Sequence, residues 1–250
     1  MWIDFHTHIL PGMDDGAETV QQSIKMLRIL RKQGVDRVAL TPHFYAHRES
    51  VDSFLDRRQT AFEQLQKAIG HEKMPRLLLG AEVSLECDLE EVGGLEKLCL
   101  QDTPYLMLEL PIHYHYMPWM LENALSLCNA NHTLPMLAHI DRYIGIYTDE
   151  HLENIVMDSD ALVQINTSSL LHHAIRKKVL TWIKSGRPVI LGSDAHNTSS
   201  RKPRFKKGIQ ILSRRVPATT VARIQADSDM VLHGGCPQNL SEIPLLIKER

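Results

Sequence analysis

The sequence predicts a single α/β domain built on a parallel sheet, with closure into a barrel favoured over an open doubly wound sheet. Three observations carry this. Short apolar runs alternate with amphipathic helical segments in about seven strand–helix units. The 250 residues match the length at which α/β barrels run as one domain. No linker, internal repeat or low-complexity stretch breaks the alternation, and 43% apolar residues can fill a sizeable core.

Taken in order, Trp2–Phe5 is a short strand. Thr19 to Gln33 has apolar residues at helical spacing (Val20, Ile24, Leu27, Leu30) and stops at Gly34. Val35–Leu40 is a second strand, ended by Thr41-Pro42, and Val51–Ile69 a long amphipathic helix closed by Gly70. Leu77–Ala81 and Tyr105–Leu110 are the next strands, followed by a helix over Trp119–Cys128 and a strand at Pro135–Ala138. A helix around Glu150–Met157, strand Ala161–Ile165, helix Leu170–Lys184 and strand Pro188–Leu191 complete the pattern.

Composition removes several classes. A net charge of -2 gives no global attraction to nucleic acid or membranes. Cys87, Cys99, Cys128 and Cys236 form no CxxC pair and read as reduced thiols. No apolar run approaches a membrane span, and the N-terminus has no signal-peptide pattern, so a cytoplasmic location is expected.

The 14 histidines are the anomaly, and their positions explain it. Nearly every predicted strand ends in a potential metal ligand. His6 and His8 follow the first strand, and residues two apart point to one face. Asp14-Asp15-Gly16 comes next in a Pro-Gly turn, then His43, Glu82, Glu109 and His139 after successive strands. Asp194-Ala195-His196 repeats the two-apart spacing after the last strand. Each residue alone could be a polar group at a strand end, or part of an Asp-rich turn. Together, at the strand ends where barrel side chains converge, such groups would repel or desolvate one another without cations. Nitrogen and oxygen ligands without cysteine suit Mn, Fe, Zn or Co. Nine ligands exceed one coordination sphere, implying about two or three divalent ions. Multi-metal sites favour displacement at phosphorus. Arg142 and Arg201, beside proposed ligands, offer guanidinium forks that match phosphate.

These residues resemble the PHP (polymerase and histidinol phosphatase) superfamily: the opening Asp-x-His-x-His-Ile-x-Pro-Gly-x-Asp-Asp-Gly, Thr41-Pro42-His43, Gly80-Ala81-Glu82, Glu109, His139-Ile-Asp-Arg142 and Ser193-Asp194-Ala195-His196. More narrowly, the chain is similar to bacterial metal-dependent protein-tyrosine phosphatases of capsule and exopolysaccharide operons. The likeness spans residue 1 to about 210, in order. It implies a distorted (β/α)7 TIM-like barrel (the PHP fold) and a trinuclear, typically manganese-activated site. It also implies a phosphotyrosine protein as partner, the tyrosine-rich tail of a bacterial tyrosine kinase. The ligands it implies are His6, His8, Asp15, His43, Glu82, Glu109, His139, Asp194 and His196, with Asp14 behind them. Arg142 and Arg201 match its phosphate-contacting arginines. Asp141 departs from the glutamate expected before the arginine, and nothing aligns past Ile211.

The same ligands leave two alternatives: a histidinol-phosphate phosphatase, and a non-enzymatic metal-stabilised module that docks on a kinase. A polymerase-appended domain fits poorly with a free-standing chain of this charge. Cysteine phosphatases carry an arginine six residues past the nucleophile; here those positions hold Gly93, Tyr105, Leu134 and Glu242. Three weaker signals remain. Arg201, Lys202, Arg204, Lys206, Lys207, Arg214 and Arg215 form a basic run that reads as a solvated helix face or as a rim attracting an acidic substrate. His113-Tyr114-His115-Tyr116 reads as a substrate lip or a packed loop, and His172-His173 lies away from any strand end.

Overall fold

A computed structural model describes residues 1–85, 89, 92–112 and 118–237. The proposed lip at His113–Tyr116 and Cys87 lie outside the described residues. The remaining architecture alternates strand and helix as the periodicity requires. Its strands are β1 (Ile3–Asp4), β2 (Arg37–Leu40), β3 (His43–Phe44), β4 (Arg76–Leu79), β5 (Glu82–Ser84), β6 (Tyr105–Glu109), β7 (Leu134–Leu137), β8 (Leu162–Asn166) and β9 (Val189–Gly192). Its helices are α1 (Val20–Lys32), α2 (Val51–Ile69), α3 (Pro118–Ala130), α4 (Asp149–Glu153), α5 (His173–Lys184), α6 (Phe205–Ser213) and α7 (Ala218–Leu232).

Local chemistry sets the helix boundaries. The Thr19 and Ser50 side chains accept the backbone N–H of Gln22 and Ser53, capping α1 and α2. The helix expected over Glu150–Met157 is shorter: α4 gives way to a π-helical turn at Asn154–Asp158. The segment expected to start a helix at Leu170 opens as a 3₁₀ turn, Ser169–Leu171, before α5 begins. His172 and His173 are exposed there. The segment past Ile211, unread from sequence, supplies α7, whose Val231 is fully buried.

All strand pairs are parallel, in two sheets of order β1-β2-β4 and β3-β5-β6-β7-β8-β9. The closed barrel expected from sequence is not formed as one continuous sheet: the described strands divide in two, and two chain breaks explain the division. Thr41-Pro42 separates β2 from β3, and Gly80-Ala81 separates β4 from β5. Pro42 has no N–H for a ladder, so the strand bends there. Hydrogen bonds still cross both breaks: Gly80 N donates to Leu40 O (3.0 Å) and Glu82 N to Pro42 O (3.0 Å). The outermost strands also approach each other, with Phe5 N donating to Leu191 O at 3.1 Å.

Alternation along each strand sorts the core into two apolar clusters. The larger lies between sheets and helices and includes Val38, Leu40, Leu106, Leu108, Val163 and Leu191. The smaller takes the opposite strand faces: Phe5, Ala39, Leu78, Met107, Met136, Leu162 and Ile190 pack together, with Val231 and Leu232 of α7 against them. Tyr105, also in this cluster, donates its hydroxyl to Gly235 O at 2.9 Å, tying the segment after α7 to β6.

Candidate metal centre

The C-terminal ends of the parallel strands converge on one cluster. His6 and His8 leave β1, His43 opens β3, Glu82 opens β5 and Glu109 closes β6. His139 follows β7, and Asp194 and His196 follow β9. Asp15 reaches in from the turn after His8. The chain hands these groups over through unusual backbone: His139 (φ 31°) and Asp194 (φ 51°) both sit in the left-handed region, where non-glycine residues are uncommon and concentrate at functional sites. At the end of β9, a Cβ on Gly192 would stand 2.7 Å from His6 Cβ and 2.6 Å from Gln164 Nε2. Only glycine lets β9 lie that close to the His6 Cβ and the Gln164 amide.

Among the described residues, four overlapping groups have donor atoms within 4.8 Å of one another: His8–Asp15–His43–His196, His6–His8–Asp194, His6–Glu82–His139 and His43–Glu82–Glu109. Their union is the nine residues singled out from sequence, brought together from seven chain segments. Glu82 lies at the centre. Its Oε2 is 3.1 Å from His6 Nε2, 3.2 Å from His8 Nε2 and 3.2 Å from His43 Nδ1. None of these contacts has hydrogen-bond geometry, so Glu82 Oε2 and His43 Nδ1 are buried without partners, as is His196 Nε2. His6 Nε2 faces His8 Nε2 at 3.1 Å. Buried, unpartnered Glu82 Oε2, His43 Nδ1 and His196 Nε2 gathered in one cluster are what a shared cation satisfies, and the donor set fits divalent ions.

Residues behind the cluster aim its donors. Gln164 Oε1 accepts His6 Nδ1 (2.9 Å) and the backbone N–H of His139 (2.8 Å), leaving His6 Nε2 turned inward as a lone pair. Gln164 Nε2 in turn donates to Asn166 Oδ1 at 3.1 Å. Asp14 Oδ2 binds His8 Nδ1 at 2.6 Å and accepts His43 N at 2.9 Å, while its Oδ1 accepts Gly16 N. Asp4 Oδ1 accepts Ser193 N at 2.7 Å, and Asp141 Oδ1 accepts Asn166 N at 2.7 Å. Of these, sequence reasoning placed Asp14 behind the ligands, carried Asp4 and Asp141 only as motif positions without a role, and missed Gln164 and Asn166. The signal for the last two was the polar pair Gln164 and Asn166 inside the otherwise apolar strand β8, which sends none of the nine donors into the cluster.

The electrostatics are those of compensated burial. Burial alone would depress the His139 imidazole, but Glu82 and Glu109 lift it to about 9. Burial opposes charge on His8 as well, yet Asp14 and Glu82 hold its pKa well above the ordinary value. His43 and His196 go the other way, driven down chiefly by burial and by the charge on His8. Burial disfavours ionised Glu82 and Asp194, but His6 and His139 hold both well below the usual carboxylate range. Burial pushes Asp4 up to about 7 and Asp141 to about 6.

Both sequence-predicted arginines reach the cluster rim. Arg201 Nη2 donates to both oxygens of Asp194 at 3.0 Å, and its Nη1 to Asp15 Oδ2 at 3.4 Å. Arg142 pairs with Asp194 through Nη2 and with Glu109 through Nη1 at 3.3 Å. Sharing one carboxylate puts the two guanidinium ends within about 6 Å, the sum of two hydrogen bonds. Their side chains keep 28% and 40% exposure, so each can meet a ligand from solvent. The turn before Arg201 is built by Asn197, whose Oδ1 accepts Ser199 N (2.9 Å) and Arg201 N (3.0 Å).

This architecture has solved and curated counterparts. The chain is 26% identical over 236 residues to the tyrosine-protein phosphatase YwqE of Bacillus subtilis, covering 92% of this chain and 91% of that protein. It is 24% identical over 241 residues to the tyrosine-protein phosphatase CpsB of Streptococcus pneumoniae, covering 90% and 96%. Its fold matches a solved structure from crystallographic work on those same two proteins, described there as unique metal-dependent tyrosine phosphatases. That match has a TM-score of 0.80 at 24% identity and covers 94% of this chain and 96% of the other. A family model for capsular polysaccharide synthesis proteins of the CpsB/CapC type matches residues 2–232, and the chain belongs to that family.

Proposed function

We propose that the protein is a metal-dependent protein-tyrosine phosphatase that hydrolyses tyrosyl phosphate on a bacterial tyrosine kinase controlling capsule or exopolysaccharide synthesis. The observation that carries this reading is the gathering of nine histidines and carboxylates, with Arg142 and Arg201 at their rim, in a member of a family with tyrosine phosphatases among its relatives. The reading assigns His6, His8, Asp15, His43, Glu82, Glu109, His139, Asp194 and His196 as ligands of two or three divalent ions. Manganese is the favoured metal.

Divalent ions held there supply Lewis acidity and bring the pKa of water toward neutrality. The chain's own residues do the rest. Arg142 and Arg201 bind the non-bridging phosphoryl oxygens and offset charge that develops on them. Gln164 holds His6 in the tautomer with Nε2 free, and Asp14 orients His8. A phenolate leaving group, with pKa of about 10, needs less proton donation than an alkoxide, so no general acid is assigned.

The reading includes a single domain with its strands in a distorted seven-stranded barrel. Support comes from the Phe5–Leu191 hydrogen bond and from the cluster that alternate residues of the strands share. It includes a cytoplasmic site of action, consistent with the absence, among the described residues, of a helix long and apolar enough to cross a membrane.

The deciding experiment is phosphate release by metal-stripped protein refilled with Mn, on a tyrosyl-phosphate peptide and on histidinol phosphate. Preference for the peptide, lost with chelator and with His6→Ala, is the expected result. Preference for histidinol phosphate would move the protein into small-molecule metabolism, and binding without turnover would make it a docking module.

A further inference from the structure

Beside the metal cluster lies a second, differently built feature. The chain between Ala195 and Ala226 contains no Asp or Glu but carries Arg201, Lys202, Arg204, Lys206, Lys207, Arg214, Arg215 and Arg223. Arg201 turns inward to Asp194 and Asp15. The next residues turn outward around a recess of about 590 Å³, lined by Lys202, Arg204, Lys206 and Lys207 with Ile29 of α1 and Gln33 just after it. All four cations are exposed, and none forms an ion pair with another described residue. The two Arg223 guanidinium nitrogens are spent on Gly186 O and Ile183 O, so that residue belongs to the scaffold.

The recess has a fixed frame. Gln33, at the end of α1, donates to Pro203 O at 2.9 Å and accepts Lys206 N at 3.0 Å, joining α1 to the start of α6. Behind α6, Gly208 lies so close to the 166–169 turn that a Cβ there would be 2.3 Å from Thr167 O. Phe205 is fully buried and meets Trp2 edge-on, with ring centroids 6.1 Å apart. The cations therefore project from a backbone held by packing. Uncompensated like charges on such a frame repel one another, and an anionic ligand relieves that repulsion.

Its position says which ligand. Arg201 and Lys202 are adjacent, and three residues span at most about 11 Å, so Arg204 lies about that far from Arg201 or nearer. A peptide chain leaving the phosphoryl site crosses the same interval in about three residues. That is comparable to a Debye length of about 8 Å at physiological salt, so the cations act on a bound chain at close range.

We infer that this recess is a second binding site, for acidic or further phosphorylated residues about three positions from the scissile phosphotyrosine. The inference rests on the phosphatase reading for the identity of the bound chain, but its test does not need turnover. Two fluorescein-labelled peptides are compared, each with a non-hydrolysable phosphonate in place of the phosphotyrosine. One carries glutamates at the flanking positions and the other glutamines. Binding to metal-replete protein is followed by fluorescence anisotropy at low and high salt.

The expected result is that the glutamate peptide binds about fivefold or more tightly at low salt, and that the ratio shrinks as salt rises. In Lys206→Glu/Lys207→Glu the ratio should fall to about one or below. The milder Lys206→Gln/Lys207→Gln should lie between. An unchanged ratio in both variants overturns the inference. So does preferential binding of duplex DNA or anionic vesicles through these lysines over the glutamate peptide. If the charge-dependent ratio holds while no tyrosyl peptide is hydrolysed, the phosphatase reading fails and the acidic-peptide site stands.

Discussion

Substituting Gln164 by methionine tests whether the layer behind the metal cluster is built as the geometry indicates. Methionine keeps the volume and fits a fully buried position on β8, so packing loss is small. What disappears is one acceptor that serves two buried donors, His6 Nδ1–H at 2.9 Å and His139 N–H at 2.8 Å, together with the Nε2 donor to Asn166 Oδ1. A buried donor left unsatisfied costs about 1–3 kcal/mol, so the pair predicts a loss of about 2–6 kcal/mol. Against a typical domain stability of about 5–15 kcal/mol, that is a large fraction. The His6 ring is also released to rotate or change tautomer, and loss of such a partner lowers metal affinity by about 10–100-fold. Urea unfolding of chelator-treated protein, followed through its tryptophans, measures the first effect, and competition with a fluorescent chelator the second. Gln164→Glu retains both acceptor contacts and should recover part of the metal affinity. An unfolding free energy within about 1 kcal/mol of the parent, with unaltered metal affinity, would refute the assignment of Gln164 as the residue that fixes His6.

Three other perturbations follow from the same geometry. Arg201→Ala should lower kcat/KM on a tyrosyl-phosphate peptide by about 10²–10³-fold, and Arg201→Lys should recover little because a point charge cannot replace the fork on Asp194 and the phosphate; an intact rate constant would exclude the clamp. Gly208→Ala forces a methyl into Thr167 O, so α6 must shift and stability should fall by about 1–3 kcal/mol, read by thermal unfolding. Asp227 is largely buried with Oδ2 unpartnered, and burial raises its pKa despite Arg223. A raised carboxyl costs stability as pH climbs past its unfolded value of about 4. Asp227→Asn should therefore unfold at a higher temperature than the parent at pH 7, with the gap closing toward pH 4. A pH-independent gap would contradict the burial account.

The positions of the metal-binding candidates were legible in the chain because strand periodicity is short-range. An apolar run of four or five residues ends at a definable place, and the residue after it points where the strand points. That logic located His6, His8, Glu82, Glu109, His139, Asp194 and His196 without coordinates. The lengths of α1 and α2 were equally legible, since Thr19, Ser50 and Gly70 act on their own neighbours.

What only the tertiary structure decided depends on contacts distant in sequence. Pro42 marks one break locally, but nothing local says that strands resume beyond it and beyond Gly80 with hydrogen bonds carried across both breaks, or that Gln164 would face His6 from 158 residues away. The basic run was visible as charge, but whether it was a solvated face or a framed recess depended on Gln33, which caps α1, meeting Pro203 and Lys206. Likewise, α7 carries a weak amphipathic pattern, and its place against the inner strand faces is set by the space those strands leave. Sequence determines which groups each short segment can offer. Which groups face one another is decided when the strands pair, because the free energy of pairing comes from surfaces that no single segment contains.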